Sequence, residues 1–259
     1  MSKSVKALAN CAGMDTSGNF SILGEFFGFR RSRVPQDLGL ATGVASVSLL
    51  QLANDLDDDF VNLNIVKIGA DQFVVDNNAA TSTPNNDHFH LIDYCIYRIR
   101  NIYRTRGVGV GRILHFSVDT TDAFNHENCT TRGEMEEITD TWTVNNDGID
   151  TFVPIILNVP GSNGGSILGR SAVNGPCEDK DDKGMNGSVF GLWSPEQASR
   201  TFAHEVGHYL KLSHKNNTDN NLMQQSGSVP ASSNMRNSVN LTNSQGNDMK
   251  SHCLMNSGC

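Results

Sequence analysis

Residues 204–214 read His-Glu-Val-Gly-His-Tyr-Leu-Lys-Leu-Ser-His, and no other segment limits the folded chain as much. An α-helix turns by about 100° per residue, so positions i and i+4 differ by about 40°. His204 and His208 therefore point the same way and can reach one ion. Glu205 lies about 100° round from His204. That is too far for an equivalent ligand and well placed to take a proton from a water on the ion. Two histidines and a glutamate at this spacing predict a zinc site with an open position, where the pKa of a bound water falls to about 7 and the metal polarises a carbonyl.

A third ligand has to come from beyond the helix. Ten residues of straight helix would carry His214 about 15 Å from His204 and onto another face. His214 joins the site only if the helix stops after Leu210 and the chain doubles back. No glutamate follows Glu205, so a downstream glutamate ligand is excluded, while Asp219, Asp248 and His252 remain as rivals. The punctuation predicts a helix from Pro195 to about Leu210. Ser194 can cap it, Pro195 suits the first helical position, and Gln197 completes a capping-box pattern.

Upstream, the order is helix, strand, helix, strand. Leu49, Leu52, Ala53 and Leu56 predict an amphipathic helix over Val44–Asp57. Alternation of Val61, Leu63 and Ile65 predicts a half-buried strand over Phe60–Ile68. His90–Tyr103 places apolar residues at three- and four-residue steps, a second helix that Gly107–Gly111 ends. Arg112–Val118 reads as a strand, and Phe152–Val159 as a near-continuous apolar, buried one. Short strands are expected at Ser166–Ala172 and Ser188–Trp193, and a last helix over Leu241–His252. The expected organisation is an irregular arm over residues 1–36, an upper catalytic part over 37–214 with the metal-binding helix at 195–211, and a lower part over 215–259.

Charge excludes some partners. Twenty-eight acidic residues against 20 basic ones give a net charge of −8, which argues against nucleic acid, whose binding needs a basic stripe. No run approaches the roughly 18 apolar residues of a membrane span. Six cysteines, an even number, fit a disulfide-bearing extracellular protein. Loop position favours Cys129 with Cys177 and Cys253 with Cys259, with free buried thiols as the alternative. The first residues carry two lysines without an apolar run behind them, so the expectation is secretion by a route not visible in this chain. Three weaker features have plain alternatives. Glu178–Gly184 could bind a structural Ca2+, or be a solvated loop. His88, His90 and His126 could form a second metal site, or be exposed loop histidines. Cys11 and Asp15 could block an open metal position, or belong to an unrelated arm.

The 204–214 segment resembles the metzincin signature H-E-x-x-H-x-x-G-x-x-H, with Lys211 in place of the motif glycine. A left-handed lysine costs about 1 kcal/mol, which metal binding offsets. The resemblance, matrixin- and pappalysin-like over roughly residues 150–252, implies three things. His204, His208 and His214 would hold one catalytic Zn2+ with Glu205 as base. Asn220-Asn221-Leu222-Met223 would supply the methionine turn beneath the metal, with Leu254-Met255-Asn256 a weaker copy. Ser166-Ile167-Leu168-Gly169-Arg170-Ser171-Ala172 would be the edge strand that pairs with an extended substrate. The expected fold is α/β (α+β): a metzincin-like zincin catalytic domain with a twisted, mainly parallel sheet and a small irregular C-terminal subdomain. The expected function is a zinc-dependent endopeptidase acting as a monomer on peptides or proteins. The alternatives are a zinc-binding pseudoenzyme or binding module, and a toxin or effector with non-peptidase hydrolase activity.

Overall fold

The computed structural model describes residues 32–33, 44–45, 54–74, 88–161, 165–178, 180, 184–215, 220–225 and 237–258. The arm over 1–36 and the helix expected over Val44–Asp57 therefore lie largely outside it, with Asn54–Asp57 helical and a small ribbon of β1 (Ser32–Arg33) and β2 (Val44–Ala45). The elements that follow are β3 (Asp59–Ile68), α1 (His88–Arg104), β4 (Val108–Val118), β5 (Asn128–Cys129), α2 (Arg132–Thr141), β6 (Gly148–Pro154), β7 (Ile156–Leu157), β8 (Val159–Pro160), β9 (Ser166–Ile167), β10 (Gly169–Ser171), β11 (Ser188–Phe190), α3 (Pro195–Tyr209), α4 (Asn243–Lys250) and β12 (Met255–Asn256).

β3 is the axis of a six-stranded mixed sheet. It pairs in parallel with β4 and with β6, and β11 extends the parallel part beyond β6. β10 closes one edge antiparallel to β11. β12 pairs antiparallel with Phe60 and Val61, the stretch of β3 that precedes its pairing with β6. Alternation along β3 predicts one wet face, but both faces are covered. Val61, Leu63 and Ile65 pack into the core under α1 and α3. Val66 and Ile68 join Met135 and Ile138 of α2 on the other side. That second cover is a helix the periodicity does not announce, begun by a true capping box in which Thr131 and Glu134 exchange hydrogen bonds. Polar residues of β3 are held by partners: Asn64 donates to Asp150 at 2.6 Å and Asn62 to Asp147 at 2.8 Å.

Other expectations shift in detail. Only Gly107, at φ 62°, ends α1; Val108–Gly111 already belong to β4. Gly109 and Gly111 are there for close approach, since a Cβ on Gly109 would sit 1.8 Å from the Asp55 carbonyl oxygen. The Ser194–Gln197 capping box does not form: Ser194 Oγ has no hydrogen-bond partner among the described residues, and α3 starts on Pro195 without a side-chain cap. Thr242 and Gln245 form the box for α4 instead. The disulfide joins Cys177 to Cys253, with Cα atoms 5.9 Å apart, in place of Cys129–Cys177 and Cys253–Cys259. Cys129 and Cys95 are free and buried; Cys11 and Cys259 lie outside the described residues. Among the described residues no helix is long and apolar enough to cross a membrane.

In the acidic segment around residue 180, Glu178 and Gly184 are exposed, as a solvated loop would have them, but Lys180 is not. Lys180 is buried and donates to the Val144 carbonyl at 3.0 Å and to the Gly148 carbonyl, beside the Asp150 carboxylate. An ammonium therefore fills the place among these oxygens, and nothing among the described residues supports calcium.

At the far end of the sheet, one buried carboxylate gathers two cations. Asp55 accepts from Arg100 Nη1 at 2.8 Å and from Arg104 Nη2 at 2.5 Å. Arg100 is itself 1% exposed. Removing one partner of such a pair leaves an uncompensated charge, which costs about 3–5 kcal/mol. Asp55→Ala is expected to lower unfolding free energy by that amount in urea titration, and a loss under about 1 kcal/mol would show that the pair does not secure α1 to the sheet.

Candidate metal centre

The centre is built on the end of α3. The helix runs to Tyr209 and Leu210 closes it. Lys211 takes the left-handed conformation, at φ 75°. Its amide donates to the His208 carbonyl at 3.0 Å, and the Leu212 amide reaches back to the Gly207 carbonyl at 2.9 Å. Those two bonds define a Schellman turn. It reverses the chain, so that His214 returns to the face carrying His204 and His208.

The three rings meet at their Nε2 atoms. His208 Nε2 lies 3.1 Å from His204 Nε2 and 3.1 Å from His214 Nε2. The far side of two rings is fixed by backbone: His204 Nδ1 donates to the Leu222 carbonyl at 2.8 Å and His208 Nδ1 to the Leu212 carbonyl at 2.6 Å. A carbonyl only accepts, so each Nδ1 holds the ring proton and each Nε2 presents a lone pair. Burial holds His204 well below its ordinary pKa and His208 at about 4, with the Arg200 charge adding to both. Neutral rings with converging lone pairs repel one another unless a cation lies between them. Nitrogens 2.0–2.1 Å from a tetrahedral ion stand about 3.3 Å apart, so the observed spacing fits a Zn2+-sized ion.

Glu205 is buried beside this centre, 5% exposed. Burial pushes its carboxyl up to about 8, opposed by the charge of Arg200. Gly169 in β10 lies directly over it: a Cβ there would come within 2.7 Å of Glu205 Cγ and 2.9 Å of Oε1. The predicted edge segment is in fact divided. Ser166 and Ile167 pair with Val159–Pro160, Leu168 accepts from the Gly191 amide, and Gly169, Arg170 and Ser171 form the edge of the main sheet. Ala172 continues through a bond to Gly187. Arg170 turns outward to Glu136.

Met223 is fully buried beneath the helix, with its sulfur 3.0 Å from where a Cβ on Gly207 would be. Its turn is tied down by Asn221, whose side chain accepts from the Met223 amide and exchanges two bonds with Gln245 of α4. Met255, in the second Leu-Met copy, is part of β12 instead.

Sequence reasoning missed Arg200. Its buried guanidinium donates to the Leu222 carbonyl at 2.7 Å and to the Gln224 carbonyl, so it steadies the same oxygen that orients His204. An arginine four residues before His204, on the same helix face, is the only signal that pointed to it. Of the rivals for the third position, the two that are described lie elsewhere. His252 donates to the Gly175 carbonyl and neighbours the disulfide; Asp248 is on exposed α4 surface; Asp219 lies outside the described residues. Of the second trio, His88 accepts from the Val74 amide and His126 pairs with Glu137, while the His90 side chain lies outside the described residues. Tyr209 is packing, with its hydroxyl on the Pro176 carbonyl.

No curated protein matches the sequence. Among solved structures, archaemetzincin from Methanopyrus kandleri is 12% identical, with a TM-score of 0.44 over 74% of this chain and 94% of that one. Metalloproteinase-II from Bacteroides fragilis is also 12% identical, with a TM-score of 0.45 over 93% of this chain and 59% of that one. Both likenesses are distant. A family model described as metallo-peptidase family M12B, reprolysin-like, matches residues 66–256. It spans most of the chain, including the three histidines, Glu205 and Met223, and so the chain belongs to the reprolysin-like M12B metallopeptidases.

Proposed function

We propose that the protein is a zinc-dependent endopeptidase in which His204, His208 and His214 hold the metal and Glu205 is the general base. The observation that carries this reading is the meeting of three Nε2 atoms beside a buried carboxylate, next to β10, the edge strand of the main sheet. Zinc, when bound, supplies Lewis acidity and an acidified water.

The chain's own groups then divide the work. Nδ1–H bonds to the Leu222 and Leu212 carbonyls hold two rings in the ligating tautomer. Glu205 takes a proton from the attacking water and passes it to the leaving amine. Burial raises the affinity of this carboxyl for protons, which favours the step in which it holds the proton before returning it. Gly169–Ser171 would align the substrate by main-chain pairing, which fixes an extended peptide and leaves side-chain preference to surrounding loops. Met223 gives the ligand set a close-packed floor and needs no chemistry of its own.

The Cys177–Cys253 disulfide favours action in an oxidising, extracellular setting. We take the working unit to be a monomer. Intact Glu205 weighs against a purely structural zinc site, which has no use for a base beside an open position.

Zinc per chain and caseinolysis test the assignment. Glu205→Ala is expected to keep about one zinc while losing roughly 10²–10⁴-fold in rate, the usual worth of a general base; full retained activity would sink the mechanism. His214→Ala is expected to bind zinc more than about 100-fold more weakly, beyond the loss typical of an outer partner. Unchanged zinc affinity in that variant would move the third ligand elsewhere.

A further inference from the structure

Lys211 stands at a left-handed position that a glycine would fill without strain. Its side chain is engaged on the far side of the turn. Nζ donates to the Ser251 carbonyl at 2.8 Å and to Ser251 Oγ at 3.1 Å. Ser251 is the C-cap of α4, where unpaired carbonyls and the negative end of the helix dipole favour a cation. The residue that strains the reversal before His214 therefore also caps a second helix.

The opposite side of the same helix end is held by the 174–177 loop. The Asn174 amide donates to the His208 carbonyl at 3.0 Å and the Gly175 amide to the Tyr209 carbonyl at 2.9 Å. Gly175 packs so closely that a Cβ would lie 2.4 Å from the Tyr209 ring. His252 Nε2 then donates to the Gly175 carbonyl at 3.1 Å, and Cys177 is bonded to Cys253. Loop 174–177 and segment 251–253 are thus joined covalently, and between them they grip the last turn of α3.

We propose that Lys211 is a positioning residue: its ammonium on Ser251, anchored by the Cys177–Cys253 disulfide, holds the strained reversal that presents His214 to the metal. This rests on the zinc reading of the site. Glycine in this place would make the turn self-sufficient, whereas lysine makes it depend on a remote segment and on a bond that a thiol reductant can open. Reduction by a dithiol would turn the disulfide into two thiols and the dithiol into its own disulfide. The anchor would loosen while every metal ligand stayed in the chain.

The test is the rate of zinc release to excess chelator from the full-length, zinc-loaded protein. Lys211→Arg keeps a cation within reach of Ser251 and is expected to match the wild type. Lys211→Met keeps the strained backbone without the cation and is expected to release zinc about fivefold faster, the factor that left-handed strain allows. Lys211→Gly removes both strain and cation and is expected to return within twofold of the wild type. The paired change Cys177→Ser with Cys253→Ser should speed release about fivefold in the lysine background and under twofold beside Lys211→Gly. Equal rates for the Met and Gly variants, or an equal effect of the paired change in both backgrounds, would overturn the clamp. A wild type that binds no zinc would instead overturn the metal centre itself.

Discussion

Two backbone carbonyls decide what this site can be. Leu222 and Leu212 accept the Nδ1 protons of His204 and His208, and in doing so turn both Nε2 lone pairs toward one point. Neither carbonyl is in α3. One is supplied by the turn just before Met223 and the other by the reversal after the helix. The site therefore exists only when α3 ends where it does and when the segment around Met223 is drawn up beneath it. The charge of Arg200 on the Leu222 carbonyl and the amide pair of Asn221 with Gln245 serve that second condition.

The sheet meets the same need from above. β3, β6 and β11 form a parallel platform under α1 and α3, and the antiparallel β10 brings a glycine backbone against Glu205. A side chain at position 169 would displace the carboxylate. The pressure of packing on this one position, rather than any turn requirement, accounts for the glycine. The carboxyl is kept dry, and its affinity for protons rises accordingly.

Much of this was legible because helical periodicity is a short-range property. Two histidines four apart share a face in any helix, so the meeting of His204 and His208 needed no tertiary information. The convergence of His214 could be written only as a condition, since it turns on the backbone angle of Lys211. The structure meets that condition at φ 75°. β3 was misread as half-buried because its second cover, α2, has few apolar residues and declares itself mainly through its Thr131–Glu134 cap. Ser194 looked like a capping residue and is not one, as a helix can begin on proline without side-chain help. The cysteine pairing was beyond reach: loop position cannot tell which chain ends meet behind a helix. Arg200 and the two carbonyls were invisible for a related reason. Their partners are main-chain atoms, which every residue has.

The disulfide has a further effect, on the unfolded chain. It closes a ring across a separation of 76 residues, and His204, Glu205, His208, His214 and Met223 all lie inside that ring. In the chain-entropy description, closing a ring of this size removes about 4.5 kcal/mol of disorder from the unfolded state. A chain oxidised before it folds would thus begin its search with all its proposed zinc ligands confined to one covalent loop, while a reduced chain would have to gather them from an open coil. The order of oxidation and metal loading then becomes a matter of folding rate as well as of final stability.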